Sequence, residues 1–298
     1  MSQSSLPKKP NDKHPNQSAS KGALVGILVY LFLAGAKLIS AAFFHSATLH
    51  ADGLNNLSDI ISSLTIFIGL KIAKRPADDN HRFGHDKYEA ISSFDVSLIM
   101  FFLGFNVINS GINSLIQEDY QTPSQETLWI GCFSAIILYL CYRYIKGLAR
   151  ANNSMGLLAT ARDMRNDILI SLTSILSPFS SKLGLPFLDT LLAIIIGGLI
   201  IFSAYQIFSE STFVLSDGFS QELLKKYRQQ ILVHPQVRNI RAIRARVNGD
   251  HTYVDVAIEI DGHLSVIESH KITEEVEEIL IYNFGVYDVD VHVEPYLP

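Results

Sequence analysis

Two short polar motifs interrupt apolar stretches of the sequence, and both carry oxygen ligands at helical spacing. The first pairs Asn55 with Asp59, and the second pairs Asp163 with Asp167. Residues four apart lie on one face of a helix, one turn from each other, so each pair can point the same way. Two such helices placed face to face would offer three carboxylates and one amide carbonyl to a single cation.

Ionisable groups inside a membrane are costly, and where they occur they mark ion pathways. A plainer interpretation is that these residues end helices or join neighbouring helices by hydrogen bonds. The cation site is favoured because two separate segments carry the same spacing. Three carboxylates at one site repel each other, so we expect at least one to keep its proton while the site is empty.

The composition is that of a membrane protein. The chain has 298 residues, of which 48% are hydrophobic and 18% are charged, against roughly 25% charged residues in a soluble protein. The net charge of −5 is mild and argues against a nucleic-acid partner. The two cysteines, Cys132 and Cys141, fall in one apolar block and are interpreted as packing residues.

Six segments are long and apolar enough to span a bilayer as helices of about 20 residues. They are residues 23–44, 47–73, 90–116, 127–145, 157–176 and 188–208. The second and fifth segments carry the two polar motifs and are the least apolar. Hydropathy alone could therefore miss them.

Basic residues set the expected orientation. Four lysines precede the first segment, and basic residues recur between segments two and three and between four and five. The charged residues in the loop between segments three and four are all acidic. The positive-inside rule then places both termini in the cytoplasm, for a multi-pass protein of the plasma (inner) membrane. Residues 1–21 are polar and predict a disordered cytoplasmic tail.

The character of the sequence changes after Asp217. Residues 221–233 predict an amphipathic helix, 237–247 and 251–260 two strands joined at Asn248-Gly249, 266–283 a second helix and 287–293 a third strand. This αββαβ order is typical of a small α+β domain. The predicted fold is thus an α-helical membrane protein with six transmembrane helices (residues 22–212) and a C-terminal, metallochaperone-like cytoplasmic domain (residues 213–298).

From residue 22 onward the chain resembles the cation diffusion facilitator family. The resemblance is carried by the run Ala51-Asp52-Gly53 that leads to the first motif, by the loop at residues 76–85, and by Asp163 with Asp167. It implies a homodimer of six-span subunits with soluble C-terminal domains. It also implies export of divalent metal from the cytoplasm, usually in exchange for protons, by alternating access, with no cofactor besides the transported ion.

The resemblance implies a transport site at Asn55, Asp59, Asp163 and Asp167. Zinc members usually carry a histidine at the position of Asp163, and the all-oxygen set resembles the manganese branch. Imidazole suits zinc, whereas carboxylate, carbonyl and water suit manganese. Zinc, iron and cadmium efflux remain alternatives, as does a membrane metal sensor. A membrane-embedded hydrolase is disfavoured because the sequence has no H-E-x-x-H motif.

A histidine pair and an acidic neighbour follow the second segment: His81, His85 and Asp78. The resemblance maps them onto the family's loop metal site, either transient or structural, and the alternative is a polar cluster that stabilises the loop. Lys87 and Asp217 map onto a family ion pair, interpreted as a hinge.

The C-terminal domain offers a weaker regulatory metal site. The resemblance matches His270 and His292 to ligand positions, and Asp255 and Glu294 to positions that ligate in some members. Arg241 and Ala257, however, stand where zinc members have histidines. The alternative is an empty domain that only dimerises.

Overall fold

Six long helices and a small mixed domain follow one another in the computed structural model, which describes residues 16–44, 47–117, 125–182 and 187–296. The helices are α1 (Asn16–Phe44), α2 (Ala47–Ala73), α3 (Lys87–Gln117), α4 (Gln125–Ala151), α5 (Met155–Lys182) and α6 (Phe187–Leu215). Each of the six predicted spans falls on one of these helices. The predicted tail at residues 1–21 lies mostly outside the described residues.

Among the described residues, five helices are long and apolar enough to cross a membrane: α1, α2, α3, α4 and α6. The sixth, α5, falls short because Arg162, Asp163, Arg165 and Asp167 interrupt its apolar surface. This is one of the two segments for which hydropathy was expected to fail. Its partner α2 passes the same test in its second half, Asn55–Ala73.

Close packing holds the membrane unit together. Helix α1 packs on α2, α4 and α5, and α2 also packs on α3 and α5. Helices α3 and α6 approach closely where two glycines meet: a Cβ added at Gly104 would lie 3.1 Å from the carbonyl oxygen of Gly197, and the reverse distance is also 3.1 Å. Small residues permit such contacts between helices in lipid, where van der Waals packing drives association.

The C-terminal unit begins at Phe213, in the last turn of α6. It contains α7 (Gln221–Ile231), β1 (Asn239–Asn248), β2 (His251–Ile260), α8 (Val266–Phe284) and β3 (Asp288–Pro295). The sheet order is β1-β2-β3, with β1 and β2 antiparallel and β2 and β3 parallel. The predicted αββαβ order is confirmed.

Three predicted boundaries in this unit shift by two residues: the end of α7, the start of β1 and the end of β3. Helix α7 ends at Ile231 and β1 begins only at Asn239, because the intervening chain forms successive turns. Pro235 lies among them and has no N–H to extend either element. Helix α8 keeps its predicted start because Ser265 and Glu268 form a capping box, and it ends at Gly285, whose φ of 67° suits glycine.

One face of the sheet forms the core of the C-terminal unit. Alternate residues of β2, Val254, Val256 and Ile258, are buried with Ile272 and Val276 of α8. Because successive side chains of a strand point to opposite faces, the residues between them lie on the other face. This alternation separates candidate ligands that lie on opposite faces of the sheet.

Candidate metal transport site

The three carboxylates of the two polar motifs are buried in the membrane unit. Helices α2 and α5 pack on each other. Asp59 on α2 is 3% exposed, and Asp163 and Asp167 on α5 are 3% and 5% exposed, whereas Asn55 is half-buried. Burying ionised groups is expensive unless something compensates for their charge. Their placement together inside the bundle therefore points to a cation or to protons as the compensating charge.

A tyrosine from a third helix joins this group. The Tyr30 hydroxyl on α1 donates a hydrogen bond to Oδ2 of Asp167 at 2.5 Å. Tyr30 is completely buried. A hydroxyl of α1 thus contacts one of the buried carboxylates of α5. The sequence analysis missed this residue.

The oxygen atoms of the three carboxylates are not all within 4.8 Å of one another. Within the described part of the chain, one group of three or more acidic or histidine side chains has ligand atoms all within 4.8 Å of one another, and it lies in the loop after α2. Carboxylates that lie close together repel one another when they are ionised. A divalent cation between Asp59, Asp163 and Asp167 would offset that repulsion.

A buried lysine lies beside the first motif. Lys37 on α1 is 1% exposed, and its Nζ donates to Oδ1 of Asn56, the residue after Asn55, at 3.3 Å. It does not extend to a helix end. Tyr30 and Lys37 are seven residues apart and so share a face of α1. Two polar side chains seven residues apart in an apolar helix are the pattern from which the sequence could have predicted that α1 lies beside the site.

Two arginines tether α5 to α6. Arg162 forms a two-pronged ion pair with Glu210, with both N–O distances at 2.9 Å, and Arg165 donates to the Ser203 hydroxyl at 2.5 Å. A guanidinium fork paired with a carboxylate fixes geometry as well as charge. These contacts flank Asp163 and hold the helix that carries two of the three carboxylates.

The start of α5 is held by α3. Oε1 of Glu89 accepts hydrogen bonds from the Ser154 hydroxyl at 2.5 Å and from the Gly156 N–H at 2.9 Å. The first N–H groups of a helix lack partners within the helix, and the helix dipole favours a negative charge there. Glu89 therefore sets the position of α5 relative to α3.

We expect Glu89→Ala to destabilise the protein by about 0.5–2 kcal/mol, the range for losing a helix cap. The reason is that Ser154 and Gly156 lose their shared acceptor. Thermal unfolding in detergent measures the effect. The matched control is Glu89→Gln, which keeps an acceptor oxygen without the charge. Its unfolding temperature should fall between those of the parent and Glu89→Ala. Equal unfolding temperatures for Glu89→Ala and the parent would contradict a capping role.

The structure brings together the predicted loop group. Oδ1 of Asp78 accepts from the His81 N–H at 2.6 Å, and Oδ2 lies 3.4 Å from Nε2 of His85. The His81 backbone N–H is the main reason that the pKa of Asp78 is lowered from its ordinary value. On its other side, Nδ1 of His85 lies 3.2 Å from the Pro76 carbonyl oxygen. Such a contact orients a ligating histidine, but it also fits the alternative of a loop-stabilising cluster.

The four candidate ligands of the C-terminal domain do not converge within one chain. His292 and Glu294 of β3 share the sheet face opposite the core, with Nε2 of His292 3.8 Å from Glu294. Asp255 of β2 is on that face as well. His270 belongs to α8, which covers the core face, and its Nε2 lies 3.5 Å from Glu274. The sheet thus separates His270 from the other three.

An arginine already pairs with one member of this set. Arg241 of β1 forms an ion pair with Glu294. The cation therefore neutralises a carboxylate that a metal would need. A joint site of Asp255, His270, His292 and Glu294 stays a prediction, one that requires residues of a second chain.

The two residues of the predicted hinge pair belong to different compact units. Lys87 begins α3 in the membrane unit, and Asp217 follows α6 in the C-terminal unit, with a φ of 58°. Asn and Asp are the non-glycine residues that tolerate this left-handed conformation best. Their pairing stays a prediction.

Comparison with known proteins identifies the family to which both parts of the chain are similar. The model of the cation efflux transmembrane domain matches residues 23–216, and that of the cation efflux protein cytoplasmic domain matches residues 219–296. The manganese efflux system protein MneS of Bacillus subtilis (strain 168) is 37% identical over 279 residues, covering 94% of this chain and 96% of that protein. MneP of the same organism is 27% identical over 289 residues, covering 94% and 97%.

The C-terminal unit also has similar solved structures. One is the copper form of the MamM CTD, with 22% identity and a TM-score of 0.25 over 26% of this chain and 76% of that one. The sequence comparisons, by contrast, extend over nearly the full length of both proteins.

Proposed function

Because the chain belongs to the cation efflux family, whose members transport metal ions, we propose that it exports manganese from the cytoplasm in exchange for protons. The observation that carries this proposal is the all-oxygen donor set on α2 and α5. It comprises the three buried carboxylates Asp59, Asp163 and Asp167 and the amide of Asn55, with no histidine among the four.

The metal follows from the chemistry of these donors. Carboxylate and carbonyl oxygens suit manganese, and zinc gains most from imidazole or thiolate. Two relatives that match nearly the whole chain are named manganese efflux proteins. Zinc still stands above manganese in intrinsic affinity for most ligand sets. Selectivity for manganese therefore rests on geometry and on the supply of each ion.

The exchange for protons follows from the ionisation of the ligands. A carboxylate must lose its proton to bind a cation, so loading from the cytoplasm releases protons. After the site turns outward, external protons compete with the metal and promote its release. The transport residues in this scheme are Asn55, Asp59, Asp163 and Asp167. The distribution of basic residues supports cytoplasmic termini in an inner-membrane protein.

Transport by purified protein in sealed proteoliposomes tests the function. We expect Mn²⁺ to accumulate inside the vesicles, and protons to move the opposite way, recorded by a pH-sensitive dye. Zn²⁺, Fe²⁺ and Cd²⁺ at the same free concentrations are the comparison. No movement of any metal would indicate a sensor instead, and faster Zn²⁺ than Mn²⁺ uptake would overturn the choice of manganese.

We further propose that the protein is a homodimer whose C-terminal domain stabilises the pair. Residues 219–296 match the cytoplasmic domain of the family, and this unit has its own hydrophobic core. Loop residues Asp78, His81 and His85 are the proposed second metal site.

Deletion of residues 219–298 should weaken the dimer and slow transport without changing the preferred metal. The reason is that the deleted unit contains none of the four proposed transport ligands. Light scattering in detergent and Mn²⁺ uptake measure the two effects. A truncated protein that preferred zinc would show that selectivity depends on the deleted domain.

A further inference from the structure

The hydrogen bond from Tyr30 occupies one oxygen of a proposed transport ligand. Its hydroxyl donates to Oδ2 of Asp167 at 2.5 Å, and the two residues are 137 positions apart in the sequence. Helix α1 supplies none of the four proposed ligands. It nevertheless places a fully buried donor against one of them.

Tyr30 has little room to leave this position. It belongs to the same buried core as Leu33 of its own helix and Met164 of α5. One turn before it, a Cβ added at Gly26 would lie 3.5 Å from the Met164 side chain, so α1 and α5 lie close together beside the carboxylates. A buried aromatic ring in such a core is fixed by its neighbours. The hydroxyl is therefore a fixed donor aimed at Asp167.

We propose that Tyr30 is a positioning residue that restricts Asp167 to binding a cation through one oxygen and so discriminates against calcium. This inference rests on the proposed function, because it concerns the ion at the same site. A carboxylate that accepts a short hydrogen bond on Oδ2 has its other oxygen available to the metal. Calcium takes about six to eight oxygen ligands and often uses both oxygens of a carboxylate.

The discrimination matters because the site offers only oxygen donors. Octahedral oxygen coordination suits manganese, magnesium and calcium alike, so ligand type alone does not separate them. Magnesium demands a small octahedral shell and gives up its waters reluctantly. Calcium is larger and more flexible, and a limit on ligand number works against it. Removing the hydroxyl allows Asp167 to rotate and to offer both oxygens.

The test is competition by Ca²⁺ for Mn²⁺ uptake into proteoliposomes by the full-length protein. We expect Tyr30→Phe to make Ca²⁺ inhibition about tenfold stronger, the effect of one hydrogen bond to a charged group. Inhibition by Mg²⁺ should stay as in the parent, and the KM for Mn²⁺ should change more than the maximal rate. The matched control is Tyr205→Phe on α6, which makes the same chemical change at an exposed position.

A second pair of variants separates the loss of the hydrogen-bond donor from a change in side-chain volume. Tyr30→Gln and Tyr30→Leu have similar side-chain volumes, and only the glutamine retains a donor for Asp167. Tyr30→Gln should therefore exclude Ca²⁺ better than Tyr30→Leu. Unchanged Ca²⁺ inhibition in Tyr30→Phe, or equal inhibition in the second pair, overturns the role of Tyr30.

Equilibrium binding of Mn²⁺ and Ca²⁺ to the purified variants in detergent gives the readout that does not depend on transport. We expect Tyr30→Phe to bind Ca²⁺ more tightly relative to Mn²⁺ than the parent does. Failure of the parent to transport Mn²⁺ would count against the proposed function, and the binding ratio would still decide the role of Tyr30. An unchanged ratio overturns that role.

Discussion

Asp59→Asn and Asp167→Asn should each reduce Mn²⁺ transport by at least about 100-fold, beyond the upper end of the range seen when residues that merely support a metal ligand are changed. Asparagine has almost the same shape as aspartate, so the change removes a charge and leaves the packing. The proposed site has three carboxylates, all buried, and each substitution removes one of them. Initial rates of Mn²⁺ uptake at several concentrations measure the effect.

The matched control for these two variants is Asp95→Asn. Asp95 lies exposed on α3 in the same membrane unit and is not one of the proposed ligands. We expect that variant to transport at nearly the parental rate. Size-exclusion chromatography should show that all three variants assemble like the parent. Normal Mn²⁺ transport by Asp59→Asn or Asp167→Asn at equal protein levels would remove that residue from the site.

The sequence predicts most of the fold because the main signals are local. The length of an apolar segment indicates a span, and alternation in residues 251–260 indicates a strand with one buried face. The i and i+4 spacing on α2 and α5 likewise predicts the acidic residues of the proposed site. All of these signals lie within one helix or one strand, so a single sequence is enough to detect them.

Contacts between distant segments account for what the sequence analysis missed. Tyr30 meets Asp167 only because α1 packs on α5, and Glu89 meets Ser154 across 65 residues only because α3 packs on α5. The same limit applies to His270. Its place in the sequence suggests a ligand, but the side of the sheet on which α8 packs decides which residues it can meet.

Helix α5 combines both situations. Its charged residues make it a poor span by hydropathy, yet Arg162 finds Glu210 and Arg165 finds Ser203 on α6. Charged groups in a membrane are tolerated when they face the bundle and are paired. The acidic pair on the same helix, Asp163 and Asp167, supplies two of the proposed transport ligands. A hydropathy scale treats each residue alone. It therefore counts the cost of placing these charged residues in a membrane and ignores their pairing with α6.

Asp163→His should raise the ratio of Zn²⁺ to Mn²⁺ transport by about tenfold, the effect of about 1.4 kcal/mol in relative affinity. A neutral imidazole is a good zinc ligand and a poor substitute for a carboxylate at manganese. The change also removes one negative charge and relieves repulsion among the remaining carboxylates. Asn55 stays an oxygen ligand, so we expect a partial switch. Uptake of both metals in the same vesicles gives the ratio.

Asp163→Asn separates the two consequences of this substitution. It removes the same charge but offers an amide oxygen instead of a ring nitrogen. If imidazole sets the preference, Asp163→His raises the Zn²⁺ to Mn²⁺ ratio and Asp163→Asn lowers both rates together. If charge alone sets it, the two variants shift the ratio equally. An active Asp163→His protein with the parental ratio would show that position 163 does not choose the metal, which would place selectivity on Asn55 and the geometry of α2.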